Sequence, residues 1–98
     1  MKEITASELE ATLAEGQKVN MIDVREDEEI ATGKIIGAIH IPLGEIPARL
    51  GELDKNKSYT VICRSGGRSG RAAQFLDEEG YDVTNMTGGM LSWQGPIE

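Results

Sequence analysis

Apolar and polar blocks alternate along the chain in lengths that predict strands and helices in turn. Two amphipathic blocks predict helices, one over residues 6–15 and one from Ser69 to a stop at Gly80. The patterns Thr5-x-x-Glu8 and Ser7-x-x-Glu10 both suit the start of the first helix as capping boxes. Four short apolar blocks with polar or glycine boundaries predict buried strands: 19–24, 38–41, 59–63 and 81–86.

Shorter helical pieces fill the remaining connections. Residues 26–32 suit one or two turns ended by Gly33, and Pro47 limits the weakly helical stretch 43–50. A last short helix is expected after Gly88-Gly89. Strands that alternate with helices through short connections predict an α/β fold with a mainly parallel sheet, in which ligands bind beyond the carboxyl ends of the strands. The 98 residues contain no internal repeat or linker, so we expect one domain over residues 1–98.

Composition narrows the classes of function. No apolar run approaches the roughly 20 residues that span a bilayer, and no basic, apolar leader opens the chain, so we expect a cytoplasmic protein. The single cysteine, Cys63, excludes an internal disulfide and a cysteine-rich zinc site. The net charge of −7 argues against nucleic acid or an anionic membrane as a partner.

The charge is unevenly distributed. The segment 55–76 has no acidic residue and five cationic ones, Lys55, Lys57, Arg64, Arg68 and Arg71, and it contains the only cysteine. An acidic protein that keeps one cationic segment around a thiol suggests an anion site built on a thiolate.

The sequence Cys63-Arg64-Ser65-Gly66-Gly67-Arg68-Ser69 is the segment that carries chemistry. It follows a strand and opens a helix, and its glycines let the backbone turn its amides inward. Inward amides at a helix N-terminus form an anion nest, and the helix dipole with Arg64 and Arg68 should lower the pKa of Cys63. A nucleophile activated in this way needs no histidine base. We therefore predict Cys63 as the catalytic residue and residues 64–69 as the substrate-binding loop.

The chain resembles the single-domain rhodanese family, the thiosulfate sulfurtransferase-like proteins. Four segments carry the likeness in the family order: Ile22-Asp23-Val24-Arg25-Glu26, GKIIGAIHIP from Gly33 to Pro42, the cysteine loop, and Thr87-Gly88-Gly89-Met90 through Trp93. The resemblance implies a three-layer fold with a five-stranded, mainly parallel sheet flanked by helices. It also implies a persulfide on Cys63, surrounded by the loop amides from Arg64 to Ser69. Lys34 and Ile36 replace the His and Pro that the second motif commonly has, which affects packing more than chemistry.

Other polar residues are expected to support the loop. We interpret Asp23 as a structural partner of Arg25 or of the cysteine loop, although a role as base stays open. The lone histidine, His40, would form a thiol-hydrolase dyad with Cys63, but a strand histidine bonded to nearby backbone is the better expectation. The run 26–29 predicts a solvated acidic turn at a helix start. Trp93 is expected in the core, and Lys34 and Arg71 at the rim of the site.

The predicted activity is a two-step transfer of sulfane sulfur without metal or organic cofactor. Cys63 takes sulfur from thiosulfate or a similar small anionic donor, and a thiophilic acceptor such as cyanide, a small thiol or a thiol protein removes it. Arg64, Arg68 and the amides hold the anion and stabilise the sulfite that leaves. Two alternatives remain: a cysteine-dependent phosphatase or arsenate reductase, and a non-catalytic interaction domain. Phosphatases of that type use Cys-x5-Arg, whereas Arg68 gives Cys-x4-Arg here.

Overall fold

A computed structural model describes residues 1–98 and contains one five-stranded parallel sheet. The strands are β1 (Lys2–Thr5), β2 (Asn20–Asp23), β3 (Ile39–His40), β4 (Ser58–Ile62) and β5 (Asp82–Thr87). The α-helices are α1 (Ala6–Ala14), α2 (Asp27–Ile30) and α3 (Gly67–Glu78), and 3₁₀ turns occupy Leu43–Glu45, Pro47–Glu52 and Gly89–Ser92. The spatial strand order is β1-β5-β4-β2-β3, and every neighbouring pair is parallel. The expected five-stranded α/β fold is confirmed.

Alternating side chains of the strands build a core on each face of the sheet. On one face Ile22, Val61 and Val83 pack with α3 and the turns at 43–52. On the other face Met21, Ile62 and Met86 pack with α1. Because the side-chain period of a strand is two, β2, β4 and β5 each contribute to both cores. Helices on both faces give the three-layer arrangement.

The ends of the helices follow the local sequence. Thr5 caps α1: its Oγ1 accepts from the Glu8 amide at 3.1 Å, and its own amide donates to Glu8 Oε1 at 2.8 Å. Such a cap stabilises a helix by about 1 kcal/mol. The second possible box is not used, because Glu10 Oε2 instead accepts from the amide of Gln94 and joins α1 to the C-terminal segment.

Two elements differ from the sequence-based prediction. The strand β1 was missed, since its four residues include only one half-buried apolar side chain, Ile4, and its pairing with β5 lies some eighty residues away. The helix α3 begins at Gly67 rather than Ser69, because Gly66 takes a left-handed φ of 106° at the N-cap and lets the helix begin directly after it. The remaining expected elements are present, with ends that differ by at most two residues, and the stretch 43–50 is divided into two 3₁₀ turns.

Candidate active site

Cys63 directly follows β4, at the carboxyl edge in the middle of the sheet. Its neighbours in the sheet are β2 and β5, and the chain returns after three residues as the first turn of α3. The residue is buried, with 1% of its surface exposed. The sequence prediction of a thiol between a strand end and a helix start is confirmed in this geometry.

The Cys63 thiol accepts hydrogen bonds from its own loop. The Gly66 amide donates to Sγ at 3.0 Å. Burial raises the pKa of Cys63, but the hydroxyl and amide of Ser69 and the amides of Gly66 and Ser65 together lower that pKa below its ordinary value. The lowering therefore comes mainly from neutral dipoles at the start of α3, in line with the expected helix dipole, whereas the charges of the two arginines are not among the main causes.

The turn after β5 holds the cysteine loop from its outer side. The Met90 amide donates to the Cys63 carbonyl at 2.9 Å, and the Leu91 amide donates to the Arg64 carbonyl at 3.0 Å. Gly89, the residue before Met90, has φ 59° and lies so close to the loop that a Cβ would be 2.3 Å from the Arg64 carbonyl oxygen. Only glycine fits there, so the Gly88-Gly89 signature acts as a backbone clamp on the loop.

Beneath the loop lies a buried polar group that the sequence analysis did not single out. Asn85 on β5 is 5% exposed, and its Nδ2 donates to the Gly66 carbonyl at 3.3 Å. The Ser69 hydroxyl is 2.5 Å from Asn85 Oδ1 and 3.2 Å from the same carbonyl. One signal could have revealed Asn85: an amide between Val83 and Met86 in an apolar strand needs a buried partner.

Asp23 and Arg25 form a buried ion pair at the carboxyl end of β2. Arg25 Nη2 donates to Asp23 Oδ2 at 2.9 Å, and the Arg25 amide donates to Oδ1 at 3.0 Å. The guanidinium also binds the carbonyls of Gly33, at 2.8 Å, and Glu29. Of the two partners that the sequence left open for Asp23, the structure selects Arg25, and the pair fixes the segment from β2 to Gly33.

The cations of the loop differ in their surroundings. The guanidinium of Arg68 makes a two-point ion pair with Glu29, at 2.6 and 2.7 Å. This pair lowers the pKa of Glu29 to about 2 and raises that of Arg68, to which the charge of Cys63 contributes less. The expectation of a wholly solvated acidic run is therefore wrong for Glu29. Arg64 is exposed and forms no ion pair.

A cleft of about 370 Å³ opens at this edge of the sheet. Glu28, Glu29 and Thr32 of the α2 segment form one wall, and Arg64, Met90 and Leu91 form the other, with Arg25 between them. Leu91 is 64% exposed. The cleft therefore offers one unpaired cation, an apolar wall and a neutralised arginine to a small molecule.

The comparison with known proteins agrees with the motifs. The model of the rhodanese-like domain family matches residues 5–96. The chain belongs to the rhodanese-like family. YtwF of Bacillus subtilis, provisionally named a sulfurtransferase, is 45% identical over 95 residues, which cover 97% of this chain and 92% of YtwF. A more distant relative, the thiosulfate sulfurtransferase GlpE of Shewanella oneidensis, is 30% identical over 82 residues, covering 83% of this chain and 81% of GlpE.

Solved structures give the same result. A crystal structure of a rhodanese-like domain protein from Staphylococcus aureus superposes with a TM-score of 0.94 at 40% identity. The superposition covers 100% of this chain and 97% of that one. The expected membership of the rhodanese family is confirmed.

None of the other residues weighed in the sequence forms a hydrogen bond with the Cys63 thiol. His40 Nε2 is 2.6 Å from the Arg25 carbonyl, so its ring is engaged by backbone as expected. Lys34 is not a free rim charge, because its Nζ bonds Glu98 at 2.8 Å and the Ala38 carbonyl at 2.9 Å. Trp93 is half-buried against the core on the α1 face, and Arg71 lies exposed on α3.

The structure contains no group of three or more His, Cys, Asp or Glu side chains suited to a metal ion. None of its helices combines the length and the apolar character that crossing a membrane requires.

Proposed function

We propose that this rhodanese-like protein is a sulfurtransferase that moves sulfane sulfur from a small anionic donor to a thiophilic acceptor through a persulfide on Cys63. The observation that carries the proposal is the buried Sγ of Cys63, bonded by the Gly66 amide and held at a lowered pKa by the loop. The sulfurtransferase names of its relatives support the same reaction class.

In the first step the Cys63 thiolate attacks the outer sulfur of thiosulfate. A sulfur–sulfur bond forms, the bond between outer and central sulfur breaks, and sulfite leaves with its electron pair. The negative charge that Cys63 gave up then resides on the outer sulfur of the persulfide. The amides of residues 64–69 surround that sulfur, since converging N–H dipoles stabilise an anion without needing an opposite charge.

Arg64 and Arg68 are proposed to hold the anionic donor during this step. Arg64 faces the cleft unpaired, and its charge is the more accessible of the two. Arg68 is engaged by Glu29, so its contribution needs a donor able to compete for one of its N–H groups. Thiosulfate, a dianion with oxygens that accept such bonds, fits this chemistry.

In the second step an acceptor attacks the outer sulfur, and the Cys63 sulfur leaves as thiolate. Cyanide becomes thiocyanate, and a thiol becomes a persulfide. Both steps are nucleophilic displacements at sulfur, so no external electron is required, and ping-pong kinetics follow. Because Cys63 is the only cysteine, no second thiol in the chain can resolve the persulfide as a disulfide. A reducing compartment such as the cytoplasm would keep Cys63 free and supply thiol acceptors.

The test is intact mass spectrometry after incubation with thiosulfate. We expect the protein to gain one sulfur atom, to lose it to dithiothreitol, and to produce thiocyanate when cyanide follows. Cys63→Ser and wild type alkylated at Cys63 should gain none, since both lack the nucleophile. Thiocyanate production by folded Cys63→Ser at the wild-type rate would overturn the proposal.

A further inference from the structure

A second cavity lies on the α1 face of the sheet, and none of residues 63–69 lines it. It measures about 540 Å³, against about 370 Å³ for the cleft at the carboxyl edge of the sheet. One side of α1, with Ala11 and Leu13, forms one wall, and the segments that carry Ile36 and Trp93 form the other. We call this cavity the α1 groove. Its volume is within the range of about 300–1,000 Å³ that is usual for small-molecule sites.

A single charged group lines the α1 groove, the carboxylate of Glu10. No lysine, arginine or histidine is among the lining residues, and Glu10 forms no ion pair. Most of the other lining residues are hydrophobic. An apolar groove with one carboxylate that no cation neutralises is complementary to a molecule with an apolar body and one positive charge. The same carboxylate disfavours an anion.

The carboxylate of Glu10 is fixed by the C-terminal segment. Its Oε2 accepts a hydrogen bond from the Gln94 amide at 3.0 Å, and its Oε1 has no donor from the protein. A Cβ at Gly95 would lie 3.1 Å from Glu10 Cγ and 2.8 Å from Trp93 Cζ2, so the Gly95 backbone lies against both side chains. A cation bound at Oε1 is therefore also near an indole ring, the aromatic group that attracts cations most strongly.

The indole ring of Trp93 is held by the same segment. Its Nε1 donates to the Pro96 carbonyl at 3.3 Å, and the Trp93 amide donates to the Met90 carbonyl at 3.1 Å. Because the polar atom of the ring already has a partner, the rest of the indole offers the groove an apolar surface. Walls that are ordered before a ligand arrives reduce the entropy that binding costs.

We propose that the α1 groove is a second binding site that takes a small organic cation. The apolar body of the ligand packs against Leu13, Ile36 and Trp93. Its single ammonium group pairs with Oε1 of Glu10. The proposal does not depend on sulfur transfer, because no residue of the cysteine loop lines the groove.

The experiment compares three probes of similar shape on the unsubstituted protein: phenylbutylamine, phenylbutanol and phenylbutanoate. Trp93 is the only tryptophan of the chain, so the change in its fluorescence measures binding next to it. We expect the amine to bind roughly five- to tenfold more tightly than the alcohol, because it adds one partly exposed ion pair. The acid should bind most weakly. Equal affinities of amine and alcohol, or tighter binding of the acid, would overturn the proposal.

Two variants separate the charge of the groove from the net charge of the protein. Glu10→Gln keeps an oxygen for the Gln94 amide but removes the charge, so the preference for the amine should disappear while the affinity for the alcohol is retained. Glu78→Gln is the matched control, because it makes the same change in net charge at an exposed position of α3. It should leave the preference unchanged. A preference that survives Glu10→Gln, or that falls equally in Glu78→Gln, would refute the site.

Methyl resonances locate the bound probe, because Trp93 also borders a smaller cleft next to Arg25. Ala11 and Ala14 line the α1 groove and not that cleft, so their methyl shifts should follow the same saturation curve as the fluorescence. Alanine methyls that do not move at saturation would place the probe elsewhere and contradict the proposal. Ala11→Phe puts a large side chain at an exposed position of the groove wall and should remove binding of all three probes. Unchanged binding in that variant would count equally against the site.

Discussion

Replacement of Gly89 by alanine tests whether the turn after β5 holds the cysteine loop. The new Cβ would lie 2.3 Å from the Arg64 carbonyl oxygen, 2.4 Å from its carbon and 2.6 Å from the Ser65 nitrogen. All three are backbone atoms, so no side chain can rotate away. Ordinary contacts begin near 3.4 Å, so the loop and the turn must separate by about 1 Å.

The expected loss of stability in Gly89→Ala has two parts. A left-handed φ of 59° costs alanine about 1–2 kcal/mol, and the forced separation adds about 1–3 kcal/mol. A displacement of about 1 Å at a reacting group also costs about 100-fold in rate. We therefore expect Gly89→Ala to lower the free energy of unfolding by about 2–5 kcal/mol and thiocyanate formation by about 100-fold.

Alanine at two other glycines distinguishes the cost of a left-handed φ from the cost of the backbone clash. Gly16 has φ 85° and nothing within 4 Å of its Cβ position, so Gly16→Ala should lose stability only. Gly88 has φ 79°, and its Cβ would lie 2.8 Å from the Ser92 hydroxyl, which can rotate away, and 3.2 Å from Ser92 Cβ, which must shift slightly. Denaturant unfolding and the thiocyanate assay on the three variants complete the test. If Gly89→Ala kept the activity and stability of Gly16→Ala, the clamp would be refuted.

The remaining predictions concern the charges and the size of the loop. The Glu29–Arg68 pair should stabilise the fold above pH about 4.5 and lose this effect as the pH falls to about 2, so that the difference in unfolding free energy between wild type and Glu29→Gln disappears there. A difference in unfolding free energy between these two proteins that did not change with pH would refute the stabilising role of the pair. Arg64→Ala and Arg68→Ala should each lower kcat/KM for thiosulfate by roughly 10–150-fold, because each removes one charge-assisted contact to the anion. An unchanged kcat/KM in both variants would mean that the anion binds elsewhere. Because the loop is one residue shorter than a Cys-x5-Arg phosphate loop, hydrolysis of p-nitrophenyl phosphate should be negligible beside sulfur transfer, and the reverse ratio would favour the phosphatase alternative.

The cysteine loop could be predicted because its causes are local. A strand end, two glycines and a helix start occur within a few residues, and the resulting geometry puts the Gly66 amide on the thiol. The position of Cys63 at the carboxyl edge of the sheet could be predicted from the alternation of strands and helices. The lowered pKa of Cys63 was also expected. Its main causes are the dipoles at the start of α3, one of the two sources expected, because hydrogen bonds are short-range and need only the loop itself.

The missed contacts join segments that are distant in the chain. Glu29 and Arg68 are 39 residues apart, and their pairing depends on β2 and β4 being neighbours with parallel directions. Once that strand order is known, an acid after β2 and an arginine after β4 must lie at one edge. Ser69 and Asn85 similarly meet only because β5 lies under α3. Residue types and spacing therefore predicted where the thiol lies, while the partners of its loop required the topology.

In the proposed reaction, charged and neutral groups have different tasks: a charge captures the donor and dipoles store the sulfur. Asp23 pairs with Arg25, and Glu29 pairs with Arg68. Arg64 is therefore the unpaired arginine of the cleft, while neutral dipoles surround the thiol. Salt shortens the reach of an exposed charge, from about 10 Å at 0.1 M to about 3 Å at 1 M, but hardly affects buried dipoles at contact distance. Rising salt should therefore slow loading by the thiosulfate dianion, and Arg64→Ala should remove most of that dependence. Unloading to an uncharged dithiol should stay nearly constant, because in the proposed reaction neutral dipoles, and not charges, hold the persulfide. Rapid-mixing measurements of both half-reactions across a salt series provide the check, and equal salt sensitivity of the two steps would show that charge, rather than the amide ring, holds the sulfur.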